Sequence, residues 1–115
     1  MAIDLFQTLD VIEIMENFVE SIRPPMEIRH KLDLSYKIEN QSIILFEIRP
    51  HWEKPEIIME FEVAKTTYIK ASNHWKIFWL RSDLKWHSYK PLPIVKTLSQ
   101  FVEAVRDDKY HCFWG

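Results

Sequence analysis

Leu32-Asp33-Leu34-Ser35-Tyr36-Lys37-Ile38-Glu39-Asn40-Gln41-Ser42-Ile43-Ile44-Leu45-Phe46-Glu47-Ile48-Arg49 is the stretch that decides the fold. Leu32, Leu34, Tyr36 and Ile38 alternate with Asp33, Ser35, Lys37 and Glu39, the period-two pattern of a half-buried strand. Asn40-Gln41 suits a two-residue turn. Residues 42–49 then return as a second strand, with Ile44, Phe46 and Ile48 on one face and Ile43 and Leu45 on the other.

Working outward, residues 50–55 read as a loop between two prolines. Ile57, Met59, Phe61 and Val63 alternate with Ile58, Glu60, Glu62 and Ala64 in a long third strand reaching toward Lys70. Ser72-Asn73 turns it into residues 75–81, and Asp83-Leu84 turns that strand into residues 85–89. The spacing predicts an antiparallel meander of about five strands. Before it, Leu5, Leu9, Ile12, Met15, Val19 and Ile22 recur at three and four, a helix over residues 4–22 that Pro24-Pro25 stops. Val11, Ile14 and Phe18 widen its apolar arc beyond that of an ordinary surface helix. Two partners are expected for it: the sheet plus a second helix, or a second subunit. After the meander, Pro91 and Pro93 introduce a helix over about residues 94–107, with Ile94, Leu98, Phe101, Val102 and Val105 as its stripe. Tyr110, Phe113 and Trp114 make the tail too aromatic to fray, so it should pack back on the body. The expected fold is α+β: N-terminal helix, curved antiparallel meander, C-terminal helix and packed aromatic tail, in a single domain over residues 1–115.

Both faces of the sheet are apolar, since Phe78 and Leu80 stand against Trp75, Ile77 and Trp79. An antiparallel sheet with one wet face alternates more cleanly. Helices cover one side only. The other must curl, be covered by the tail, or meet a second molecule, and a homodimer is the expected partner.

The only glycine is Gly115. A P-loop, a dinucleotide fingerprint and a nucleophile elbow all need glycine and are excluded, so no cofactor is expected. Tight turns fall to Asn, Asp and Ser instead. With 47% hydrophobic residues and five tryptophans the chain is globular, and its net charge of −2 gives no global basic field. The single cysteine, Cys112, leaves no internal disulfide and no Cys-x-x-Cys pair; its plain reading is a half-buried thiol. Met1-Ala2-Ile3-Asp4-Leu5 lacks the positive start of a signal peptide, and no apolar run is long enough for a bilayer. A cytoplasmic, non-membrane protein is expected.

Arg49-Pro50, Ala64-Lys65, Trp79-x-Arg81, Trp86-x-x-Tyr89 and the closing Asp108 with Phe113-Trp114-Gly115 occur in that order. In these motifs the chain resembles an uncharacterised bacterial family of small α+β domains of unknown function. The resemblance covers most of the chain after Pro24. Where it would put Asp-Gly, after Arg81, this chain has Asp83-Leu84. What the resemblance implies is a surface rather than an activity, in a bacterial protein.

That surface is an Arg/Trp/Tyr-rich sheet face of Arg49, Lys65, Trp79, Arg81, Trp86 and Tyr89, with Lys85 nearby. If Asp83-Leu84 are the central pair of their turn, Arg81 lies directly across from Trp86, in cation–π reach. Cations among flat rings hold a phosphate, a carboxylate or a stacked base. The structural alternative is that each arginine packs on a tryptophan and meets Glu47, Glu60 or Glu62. A non-catalytic binding module for an anionic ligand or a protein partner is the leading expectation, with a nucleic-acid-associated protein as the alternative. A metal-dependent nuclease or hydrolase built on Glu60, Glu62 and Lys65 is less favoured, because the Glu62–Lys65 offset places them on opposite faces of a regular strand. The five histidines are scattered, without ligand spacing, and no metal site is expected.

Overall fold

The computed structural model describes residues 5–114, with side chains from Gln7 onward. Residue 4 of the expected helix and Gly115 of the closing motif lie outside the described residues. Helix α1 (Leu5–Ile22) leads into strands β1 (Asp33–Glu39), β2 (Ser42–Pro50), β3 (Ile58–Ile69), β4 (His74–Leu80), β5 (Trp86–Ser88) and β6 (Ile94–Val95), and helix α2 (Leu98–Asp107) follows. The strands pair in the order β1-β2-β3-β4-β5, and all these pairings are antiparallel. This is the α+β meander that the alternating pattern called for.

The C-terminal region departs from expectation. Ile94 and Val95 are not helical but pair with Lys76 and Trp75 of β4 as a short sixth strand. Pro93 removes one amide and the two β-branched residues favour extended backbone, so the helix begins only at its cap. Thr97 Oγ1 accepts from the Gln100 amide at 3.3 Å, while Gln100 Oε1 accepts from the Thr97 amide at 3.1 Å. Thr97-x-x-Gln100 is the sequence signature of that reciprocal cap.

The two helices lie together on one face. Val11, Met15 and Phe18 of α1 join Phe101, Val102 and Val105 of α2 over Ile43, Leu45, Trp75 and Ile77. Arg106 seals the helix pair, its guanidinium 5.3 Å from the Phe18 ring and 3.1 Å from Ser21 Oγ. The wide arc of α1 therefore meets the sheet and a second helix. The tail packs as expected, but on this same face: the Phe113 ring lies 4.8 Å from that of Tyr89, and Trp114 Nε1 donates to the Val105 carbonyl at 2.9 Å.

The opposite face consequently receives neither helix nor tail. Ile44 and Phe46 are nonetheless only 4% and 6% exposed there. Lysine arms cover them. Lys37 Nζ stands 5.5 Å from the Phe46 ring, and Lys65 Nζ 5.6 Å and 5.8 Å from the Phe78 and Trp86 rings. Long aliphatic stems shield apolar surface while their charged heads stay wet. A bulge between Leu45 and Phe46 breaks the β2–β3 register and bends the strands where this happens.

Candidate functional site

The β4–β5 hairpin builds the site. Leu80 stands opposite Trp86, Trp79 opposite His87 and Phe78 opposite Ser88. The connection is a three-residue loop: the Leu84 amide donates to the Arg81 carbonyl at 2.8 Å, and the Arg81 amide to the Lys85 carbonyl at 3.2 Å. Leu84 takes φ 62°, closing the loop in the left-handed region. One extra loop residue shifts every pair. Arg81 is therefore not across from Trp86; its guanidinium lies 5.5 Å from the Trp79 ring, while Lys65 occupies the position over Trp86.

The six residues singled out in the sequence do not share one place. Trp79 and Arg81 sit together at the end of β4, on the helix-covered side. Lys65 and Trp86 share the opposite face. Tyr89 is buried against Phe113, and burial pushes its phenol up from its ordinary value, which makes it a core residue. Arg49 stands on the distal β2–β3 arm, opposite Met59, where it pairs with Glu47 at 3.0 Å. That pair is the carboxylate half of the structural alternative.

What does assemble is a cleft of about 350 Å³ around Trp79, lined also by Arg81, His87, Ser88, Lys90 and Cys112. Sequence reasoning missed His87 and Lys90, because the register that sets His87 beside Trp79 depends on the loop length. His87 is held in place by Asp83, whose Oδ2 lies 2.8 Å from Nε2, while Asp83 Oδ1 accepts from the Lys85 amide at 3.0 Å. The His87 contact, then the Lys85 amide, hold the Asp83 carboxyl below the usual carboxylate range. Burial first, and the Asp108 carboxylate second, push the Cys112 thiol above its ordinary value, which disfavours the thiolate.

The acidic strand also differs from expectation. Phe46 pairs with Glu62 and Ile44 with Lys65, so the bulge returns Glu62 and Lys65 to the same face. Lys37, however, is what meets the carboxylates, 3.6 Å from Glu62 and 4.0 Å from Glu60. Among the described residues no three His, Cys, Asp or Glu side chains group so as to hold a metal ion.

Two helices on one face of an antiparallel meander, with a cation-lined cleft at a hairpin end, define a small α+β domain. The chain belongs to the family described as a domain of unknown function, DUF3024, which it matches over residues 3–115. No curated protein and no solved structure matches it.

Proposed function

We propose that this chain is a non-catalytic binding module of the bacterial cytoplasm, working as a homodimer, that holds an anionic group in the Trp79 cleft. The observation that carries this is the make-up of the cleft wall: Arg81, His87 and Lys90 contribute to it and no Asp or Glu does. The cavities beside α1 and β1, beside β6 and α2, and around Tyr110 each include carboxylates. Arg81 offers a planar fork beside an aromatic floor, the pairing that suits a carboxylate or phosphate carried on a flat ring. A cleft of this size takes one small ligand or one side chain of a partner.

The test follows the Trp79 indole N–H by NMR during titration with adenosine 5′-monophosphate and with inorganic phosphate. The nucleotide should move that signal at lower concentration than phosphate. Arg81→Ala should abolish the response and Arg81→Lys restore little of it, since lysine lacks the fork. Its fold should barely change, because the cation–π contact at an exposed site contributes about 0.5–1 kcal/mol. An Arg81→Ala protein that melts lower yet responds like the parent would sink the assignment.

One observation favours the nucleic-acid alternative: Lys65 stands over both Phe78 and Trp86 on the face without helices. Binding of single-stranded DNA that weakens steeply with salt and depends on Lys65 rather than Arg81 would select it.

A further inference from the structure

Strand β1 is the edge of the sheet. The two-residue turn makes Glu39 and Ser42 the closing pair of the hairpin, so positions 39, 37, 35 and 33 spend their backbone groups on β2. Leu34, Tyr36 and Ile38 turn theirs outward. One end of this edge is closed. Arg23 reaches around it to hold Asp33 at 2.9 Å and 2.8 Å, and Asp33 Oδ1 also accepts from the Leu34 amide at 2.8 Å. A groove of about 530 Å³ runs along the edge from Arg23 and Asp33 to Ile38, walled by Ile12, Glu16 and Val19 of α1, and at the Ile38 end no such clasp crosses it among the described residues. An unpaired edge beside an open groove invites a further strand.

We propose that the Ile38 end of this edge, residues 37–39, pairs with the same segment of a second copy, antiparallel, about a two-fold axis at Ile38. The proposal rests on the homodimer reading above and supplies its surface and register. Charge selects the axis. Centred on Ser35, the pairing would need the Leu34 amide that Asp33 Oδ1, held by Arg23, already occupies. Centred on Tyr36, it sets Asp33 opposite the partner's Glu39, and centred on Lys37 it sets that lysine against itself. Centred on Ile38, Lys37 stands opposite the partner's Glu39, and the symmetry makes the contact twice. The Ile38 residues then exchange their free N–H and C=O groups. Apolar surface converges at the same point. Arg23 marks the Asp33 end of α1 and Glu16 lies 3.2 Å from the Tyr36 hydroxyl, so Ile12 falls at the Ile38 end, with Leu9 one turn beyond. Ile12 and Leu9 are 38% and 57% exposed, and their symmetry mates would cover them.

Cross-linking tests this. In a Cys112→Ser background, the double variant Lys37→Cys, Glu39→Cys places thiols at non-hydrogen-bonded opposite positions, about 4.5 Å apart between Cα atoms and within disulfide reach. Mild oxidation should give a covalent dimer on a non-reducing gel, and the parent should sediment near twice 14.0 kDa. Ser35→Cys or Lys37→Cys alone should not link; if either does, the axis at Ile38 is wrong. Glu39→Lys, a change at an exposed residue, should weaken the parent dimer about tenfold by setting lysine against lysine twice. It keeps the test open if the double variant does not fold. A parent of dimer mass whose double variant never links, and which ignores Glu39→Lys, removes this edge and leaves a homodimer through another surface. A parent of monomer mass at all concentrations removes both.

Discussion

Leu84 shows what a chain without internal glycine does at its tight turns. Five described residues take positive φ: Asn40, Asn73, Leu84, Asp108 and His111. Asparagine and aspartate tolerate this region because their short polar side chains bond locally. Leucine does not, and Leu84 is 79% exposed, so it gains no packing in exchange. A left-handed conformation costs an L-residue about 1–2 kcal/mol, and glycine's extra unfolded-state entropy offsets part of that. Leu84→Gly should therefore stabilise the domain by about 0.5–1 kcal/mol in urea titration. A loss of stability would show that the leucine packs in some way its exposure hides. Asp33 makes a second residue-scale prediction. The two hydrogen bonds from Arg23, then the Leu34 amide, hold its carboxyl below the ordinary carboxylate value despite partial burial. A folded-state pKa below the unfolded one gives stability that is fully present above the unfolded value and lost as pH falls through the folded one. Stability should thus decline below about pH 4, and Asp33→Asn should be less stable at pH 7 but lose less on acidification. Parallel acid slopes for parent and variant would assign the acid sensitivity to other carboxylates.

At the scale of elements, the C-terminal tail acts as a structural segment. Asp108 ends α2 at φ 40° and turns its carboxylate onto the tail, accepting from the Phe113 amide at 3.0 Å and the Trp114 amide at 2.9 Å. Phe113 is only 5% exposed. Removing residues 113–115 should cost several kcal/mol, since burying each large aromatic contributes about 2–3 kcal/mol. A truncated protein that melts within a degree or two of the parent would show that these rings contribute little to the fold. Most elements were legible in local pattern: period two over β1 to β4, the three-and-four spacing of α1, the proline stop after it. The start of α2 was misplaced because Ile94 and Val95 fit a helical stripe as well as a strand. Short apolar runs carry no period of their own, and only pairing with Trp75 and Lys76 settles which they are.

The molecule as a whole is long for its size, with extents of 46 × 30 × 25 Å. The β2–β3 hairpin extends beyond its neighbours, since β4 pairs with β3 only from Ala64 onward. Dimerisation through β1 would join two such sheets edge to edge and leave the Trp79 clefts at the far ends, one per copy, so the mass measurement and the nucleotide titration report on separate surfaces. Residue order by itself determined the class of fold, the succession of the five meander strands, the exclusion of glycine-dependent phosphate sites and the anchoring of an aromatic tail. These are properties of spacing and composition, expressed within a few residues. Which cation meets which ring was settled only in three dimensions. The loop after Arg81 holds three residues rather than two, and the β2–β3 bulge adds one more. Each moves side chains across a strand or between faces, because alternation has a period of two and a single extra residue inverts it.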